Sequence, residues 1–364
     1  MKLLRIMRVH FRWDRGRTAI LFGIVIASVS MCYGAGMPKI RILATGGTIA
    51  GLEARQDDPS YRSGVLPATA LVAAIPGLAK FAEVSTEQVC NIGSQTMTNT
   101  IWLQLARRMN AALQSPDVDG VVITHGTDTM EETAYFLSLV GRSQKPIVMT
   151  GAMRPAGTVS PDGPSNLLDA IIVATSPEAR GRGVLVVASD EIHYAREIEK
   201  TDTIGLNSFQ SPNRGRAGVI DHGKPIFFSR QAVKYGDASE FTINGLQRLP
   251  SVEIVYSYAN FGRGTIDYLV SQGVKGIILA GVGDGNTTDA ALAGLKDAAI
   301  HGVIIVRSSR VASGTTRRNI EVDDDRYGFI ASEELNPQKA RVLLMLGLTN
   351  THDRQTLQQY FREY

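Results

Sequence analysis

Cysteine is nearly absent from this chain. Its 364 residues include two, Cys32 and Cys90. Cys32 falls in an amino-terminal stretch that reads as an export signal, so one thiol remains to the mature protein. A lone cysteine leaves no internal disulfide, and the fold must be held by packing. Cys90 stands between Val89 and Asn91 in an expected strand, where it reads as a buried, inert thiol. The histidines beyond position 36 are scattered without ligand spacing, so no metal site and no cofactor are expected. The sequence has no Gly-x-x-x-x-Gly-Lys-Ser/Thr, and no Gly-x-Gly-x-x-Gly follows its first strand, which weakens any phosphate-binding reading.

A basic surplus is missing too, once the amino terminus is set aside. Residues 1–36 hold Lys2, Arg5, Arg8, Arg12, Arg15 and Arg17 against Asp14 alone. Without them Lys+Arg falls from 38 to 32 and Asp+Glu from 35 to 34, so a net charge of +3 becomes −2. No basic patch remains to argue for nucleic acid or a membrane surface. The same 36 residues combine that basic region with the apolar run Ala19–Val29 and small residues up to Gly36. This is the pattern of a signal peptide, with Gly34-Ala-Gly36 or Ser28-Val-Ser30 at cleavage spacing. The apolar run is short for a bilayer span, which takes about 20 residues. We therefore expect export to the periplasm or secretion, with no stable membrane association after cleavage. A retained anchor is the open alternative.

From residue 39 to about 189, short apolar runs alternate with helical stretches. Strands are expected at 40–44, 84–89, 120–124, 146–150 and 183–188, and helices at 67–75, 99–113, 130–140 and 164–175. Such alternation implies βαβ units and a mainly parallel sheet. Residues 228–250 lose the rhythm. A smaller alternation follows, with strands at 252–258, 276–280 and 303–307 and helices at 264–272, 288–299, 337–347 and 353–362. The expectation is an α/β protein of two doubly wound, mainly parallel-sheet domains, the N-terminal one larger. Its parts are a signal peptide at 1–36, a catalytic domain at 37–228, an irregular connector at 229–250 and a C-terminal domain at 251–364. The polar stretch 51–64 reads as a lid without secondary structure, and Tyr61 within it argues for closure onto something.

Two segments carry the chemistry: Ile42-Leu-Ala-Thr-Gly-Gly-Thr48-Ile-Ala-Gly51 and Val121-Val-Ile-Thr-His-Gly-Thr127-Asp128-Thr-Met-Glu-Glu-Thr133. Each runs as a strand, turns through glycine and presents a threonine just past the strand's carboxyl end, where open α/β sheets bind ligands. Thr48 and Thr127 are hydroxyl nucleophile candidates, and Asp128 is an adjacent carboxylate. The plainer alternatives are a tight turn for Gly-Gly-Thr48 and an N-cap cluster for Thr127-Asp128-Thr129. Lys200, in Glu197-Ile-Glu-Lys200-Thr-Asp202, reads from sequence alone as a solvated surface charge.

The two segments, with Asn91-Ile-Gly-Ser-Gln95, Gly151-Ala-Met-Arg-Pro155, Lys200-Thr201, Tyr258-Ala-Asn260 and Glu321-Val-Asp-Asp324, resemble the bacterial L-asparaginase family from about Met37 to Tyr364. With its leader the chain is similar to the secreted type II branch. The resemblance implies hydrolysis of L-asparagine, with lesser turnover of L-glutamine, by a threonine nucleophile. It assigns catalysis to Thr48, Tyr61, Thr127, Asp128 and Lys200. Substrate binding falls to Ser94, Gln95, Asp128, Ala152 (through its carbonyl), Asn286 and Glu321. It also implies a homotetramer in which Asn286 and Glu321 reach the site of a neighbouring subunit. Some type II relatives carry a disulfide at the positions of Ser115 and Ser143, which this chain has lost. Gly283-Asp-Gly-Asn286 departs from the commoner Gly-Asn-Gly-Asn, and Asp284 is expected to add negative charge near an ammonium-binding site. Two other readings stay open: an exported, non-catalytic amino-acid-binding protein, and the asparaginase-like subunit of a tRNA-dependent amidotransferase.

Overall fold

The computed structural model of the chain describes residues 36–364 except 56 and 57. The signal peptide expected at 1–36 thus lies, but for its last residue, outside the described residues. Pro38–Tyr364 packs as one unit containing two main sheets.

The larger sheet has eight strands, from edge to edge Lys224–Phe227, Gly218–Asp221, Glu191–Tyr194, Val184–Ala188, Ile147–Thr150, Gly120–Thr124, Lys39–Gly46 and Glu83–Ile92. The last five are mutually parallel and the first three are attached antiparallel. Side-chain alternation decides which face each residue serves. Leu43, Val121, Ile123, Met149 and Val186 enter one core with the helices Asn99–Gln114 and Met130–Val140. Ile40, Ile42, Val122, Val148 and Val187 enter another with Gly163–Thr175. Helices on both faces explain why the parallel strands are apolar throughout rather than alternating with polar residues.

The smaller sheet is wholly parallel: Val252–Tyr256, Gly276–Gly281, Ile304–Ser309 and Ile330–Ala331, neighbours in that order. Gly264–Ser271 and Asp289–Ile300 cover one face. Pro337–Asn350 covers the other and also packs against Met130–Val140 of the first sheet. One apolar cluster consequently runs from Leu43 through Leu343 to Tyr364. Trp102 fastens the helices near the chemistry: its ring stacks on Phe136 at 5.2 Å and its Nε1 donates to Thr133 Oγ1 at 2.8 Å. Such a ring pair is worth about 0.5–1.5 kcal/mol beyond its burial.

Two features depart from the expectation. Residues 51–64 are not structureless: Leu52–Arg55 pairs antiparallel with Asp58–Arg62, so the expected lid is a β-hairpin. The antiparallel edge strands of the large sheet were also unforeseen. Ser189-Asp190 and His222-Gly223 make two of their turns with positive φ at both residues (51° and 61°, 49° and 70°). That is the twist a two-residue hairpin requires, achieved without the Asn-Gly or Asp-Gly signal usual for it.

Candidate active site

Gly120–Thr124 and Lys39–Gly46 are neighbours in register, Thr124 opposite Ala44. The turns leaving their carboxyl ends therefore emerge side by side, at the point where the chain passes to opposite sides of the first strand. Contact between them is close. A Cβ on Gly47 (φ +78°) would stand 2.4 Å from Gly126 Cα, so a side chain there is excluded both by conformation and by space. Thr45 Oγ1 donates to the Thr124 carbonyl at 2.9 Å and ties the two strand ends together.

Thr48 opens a single 3-10 turn and is buried. Its Oγ1 lies 2.9 Å from Tyr61 Oη, and either hydroxyl can donate. Tyr61 comes from the second strand of the hairpin and is 41% exposed, so the hairpin sets it over Thr48 from the solvent side. Backbone bonds Gly64 N→Gly47 O (3.1 Å) and Ala156 N→Gly51 O (3.1 Å) close both ends of this arrangement.

Thr127 is also buried. Lys200 Nζ donates to Thr127 Oγ1 at 2.8 Å and to Asp128 Oδ1 at 2.6 Å. The lysine is no solvated surface charge: its side chain is 16% exposed. Nor is Thr127-Asp128-Thr129 a capping cluster, since no side chain caps the helix Met130–Val140. Thr129 Oγ1 instead donates to the Ser94 carbonyl at 2.8 Å, which brings the Ser94–Thr96 turn against the Thr127 segment. A Cβ on Gly126 would meet Ser94 Oγ at 2.7 Å, so that hydroxyl too faces the two turns.

Among the described residues, no protein acceptor takes the backbone N–H of Thr48, Gly126, Thr127 or Asp128. Those of Thr127 and Asp128 precede a helix amino terminus, which favours negative charge. No described donor occupies the carbonyl of buried Ala152. Gln95 is exposed beside Gly93. Fully buried His125 donates through Nδ1 to the Gly126 carbonyl, 2.7 Å away. Burial lowers its pKa to about 4, so it stays neutral and has no part in proton traffic near pH 7.

Among the described residues no hydrogen bond joins Asn286 or Glu321 to this cluster. They bond to each other, on two loops at the ends of the second sheet. Those loops are held by Arg307, which is 1% exposed. It makes a two-pronged pair with Asp324 (2.7 Å at each oxygen) and donates to the carbonyls of Asp284 (2.9 Å) and Arg317 (3.0 Å). The charge expected of Asp284 is answered locally. Its carboxylate takes Arg317 Nε at 2.8 Å and Arg317 N at 2.7 Å.

Sequence reasoning passed over Glu131 and Lys339. Glu131 Oε2 accepts the backbone N–H of Lys200 at 3.2 Å, and Lys339 Nζ donates to the Ile198 carbonyl. Glu131 lies inside the recognised motif and could have been noticed as a carboxylate in a helix first turn that is buried rather than solvated. Nothing in the sequence marks Lys339.

Two hydroxyls each hydrogen-bonded to a phenol or an ammonium, a carboxylate with one oxygen unclaimed and N–H donors unclaimed among the described residues form a constellation that suits acyl transfer on a small zwitterion. Comparison with known proteins agrees. The asparaginase N-terminal family model matches residues 39–234, and the glutaminase/asparaginase C-terminal domain model matches 251–361. The chain is 46% identical to a probable periplasmic L-asparaginase of Haemophilus influenzae, covering 94% of this chain and 97% of that one. It is 44% identical to the glutaminase-asparaginase of Pseudomonas fluorescens biotype A, over 90% and 91% of the two chains. The crystal structure of a probable cytoplasmic L-asparaginase from Campylobacter jejuni superposes with a TM-score of 0.87 at 42% identity, over 90% of this chain and all of that one. On matched domains, sequence and architecture together, the chain belongs to the asparaginase family.

Proposed function

We propose that the chain hydrolyses L-asparagine to L-aspartate and ammonia, and L-glutamine more slowly. The observation that carries this reading is the contact of two threonine turns on adjacent strands, each hydroxyl having its own proton-handling partner: Tyr61 for Thr48 and Lys200 for Thr127.

Thr48 Oγ1 attacks the side-chain carbonyl carbon, and its proton passes to the Tyr61 oxygen. A phenol with a pKa near ~10 is a poor base in isolation, so Tyr61 acts as a relay. Negative charge on the former carbonyl oxygen meets the unclaimed backbone N–H groups beside Gly47 and Gly126. The proton held at Tyr61 passes to the amide nitrogen, the C–N bond breaks and ammonia leaves. A water polarised at Thr127 and Lys200 then attacks the Thr48 ester, breaking its C–O bond, releasing L-aspartate and returning a proton to Thr48 Oγ1. The free oxygen of Asp128 receives the substrate α-ammonium, and Ser94 and Gln95 receive the α-carboxylate. The Ala152 carbonyl accepts from the amide NH₂. With both charged ends clamped, the extra methylene of glutamine misplaces the reacting carbon, although discrimination of one methylene is only about 1–3 kcal/mol.

The finer assignments belong to the same reading. Export rests on the basic and apolar leader and on the periplasmic H. influenzae relative. A homotetramer with shared sites fits the lack, among the described residues, of any hydrogen bond from Asn286 or Glu321 to Thr48, Tyr61, Thr127 or Lys200. We read the chain as a signal peptide at 1–36, a catalytic domain at 37–228, a connector at 229–250 and a C-terminal domain at 251–364. Ammonia release from L-asparagine and L-glutamine by the purified mature protein tests the reading. Absence of release from both amino acids would leave amino-acid binding without catalysis.

A further inference from the structure

Lys200 sits on a two-residue strand, Glu199–Lys200, paired only with Phe209–Gln210. So short a ribbon cannot by itself hold a long ammonium side chain within hydrogen-bond reach of a chosen hydroxyl. Something else must fix its backbone. The groups that do so come from two helices belonging to different sheets.

Glu131 stands in the first turn of Met130–Val140, four residues after Thr127 on the same turn-and-helix segment. It is 6% exposed, and both carboxylate oxygens are engaged: Oε2 by the backbone N–H of Lys200 at 3.2 Å, Oε1 by Gln338 Nε2. Lys339, 1% exposed on Pro337–Asn350, donates its ammonium to the Ile198 carbonyl, two residues before Lys200. Around that ammonium lie Glu131, Glu197 and Glu199, with Arg196 as the opposing cation. Burial pushes the Lys339 pKa down and these carboxylates offset it. A buried carboxylate at the base of a helix is costly unless it is paired and hydrogen-bonded. Here the Glu131 carboxylate is answered by Gln338 and the Lys200 N–H, and the Lys339 ammonium by the Ile198 carbonyl. The mechanism makes no use of Glu131, Gln338 or Lys339, and none of them touches the Thr48 cluster.

We infer that Glu131 is a positioning residue for Lys200: one rigid segment carries Thr127 and also grips the backbone of the lysine that must reach it. Gln338 and Lys339 hold the Glu131 carboxylate and the 198–200 segment in place from the second half of the chain. The separation of Lys200 Nζ from Thr127 Oγ1 is then set by a single element rather than by a flexible ribbon. Through Gln338 and Lys339 the C-terminal half also contributes to each chain's own site. The inference rests on the proposed role of Lys200.

The test compares Glu131→Asp, Glu131→Gln and Lys200→Met in the full mature protein, with asparagine turnover and crystal structures as readouts. Glu131→Asp keeps the charge beside Lys339 but withdraws the acceptor from the Lys200 N–H. A misplacement of about 1 Å can cost on the order of a hundredfold in rate. We expect kcat to fall by about that factor, with KM within about twofold, and Lys200 Nζ to leave hydrogen-bond distance of Thr127 Oγ1. Glu131→Gln retains an oxygen acceptor and should recover most of kcat even where its melting temperature is lower. A merely structural role would lower the melting temperature of both variants in proportion and leave kcat per folded molecule unchanged; that result overturns the inference. So does a Glu131→Asp structure with the Lys200–Thr127 bond intact. Near-normal turnover in Lys200→Met would instead sink the role of Lys200 itself, whatever Glu131 does.

Discussion

Thr48 Oγ1 and Tyr61 Oη meet at 2.9 Å although thirteen residues separate them, because a β-hairpin folds back over the turn that carries the threonine. The phenol of a partly exposed tyrosine is thus bonded to the hydroxyl of a buried threonine. Removing the phenolic oxygen should leave the hairpin in place and take away only the proton route. For Tyr61→Phe we expect kcat to fall by about a hundredfold or more, the usual scale of a positioned proton-transfer group. KM should change little. Steady-state ammonia release measures both, and a kcat within about threefold of wild type would remove Tyr61 from the mechanism.

The Asp284 carboxylate is matched by Arg317 on its own chain. Its charge is therefore largely answered before any substrate arrives. Asp284→Asn should leave KM for L-asparagine within about twofold and the pH–rate profile unshifted. The Arg317 side chain is 59% exposed, and such pairs contribute about 0–1 kcal/mol, so the melting temperature should barely move. A large rise in KM in the variant would mean that the carboxylate does reach the ammonium site.

Glu132 offers a pH signature. Burial raises its carboxyl pKa to about 7 from 4.5, against the opposing pull of Arg341. An acid whose folded pKa is raised binds more protons when folded, so its stabilising contribution is full below about 4.5 and is lost as pH rises through about 7. Glu132→Gln stays neutral at every pH. The melting temperature of that variant relative to wild type should climb between pH 5 and 8, as differential scanning calorimetry would record. A constant difference across the range would place the Glu132 carboxyl in water.

Shared sites would make inactive chains complementary. Thr48→Ala and Glu321→Ala should each be nearly inactive as homo-oligomers. Co-refolded, they should recover up to about a quarter of wild-type activity, because half of random dimers are mixed and half the sites in those are intact. No recovery in mixtures shown to contain heterodimers would give Glu321 a structural role.

Much of this was legible in the sequence. Gly120–Thr124 and Met130–Val140 fall at their expected limits, since long apolar runs with glycine punctuation leave little latitude. Thr48 and Thr127 were visible as hydroxyls past strand ends. The hairpin at 52–62 was not, because its strands are polar and short and its pairing contains an irregularity between Glu53 and Arg55. Lys200 was linked to Thr127 only through resemblance: its neighbours in sequence are charged, and the groups that hold its backbone segment, Glu131 and Lys339, are remote in the chain. Long-range contacts of that kind leave no local pattern.

The central claim is that two threonines, Thr48 and Thr127, perform amide hydrolysis together. Turnover of L-asparagine by Thr48→Ala and by Thr127→Val, each shown folded by circular dichroism and an unchanged melting transition, tests it most directly. The account predicts that both variants lose nearly all ammonia release, at least about a thousandfold, as expected when a nucleophile or a member of an acting unit is removed. Near-normal release by either folded variant would contradict it.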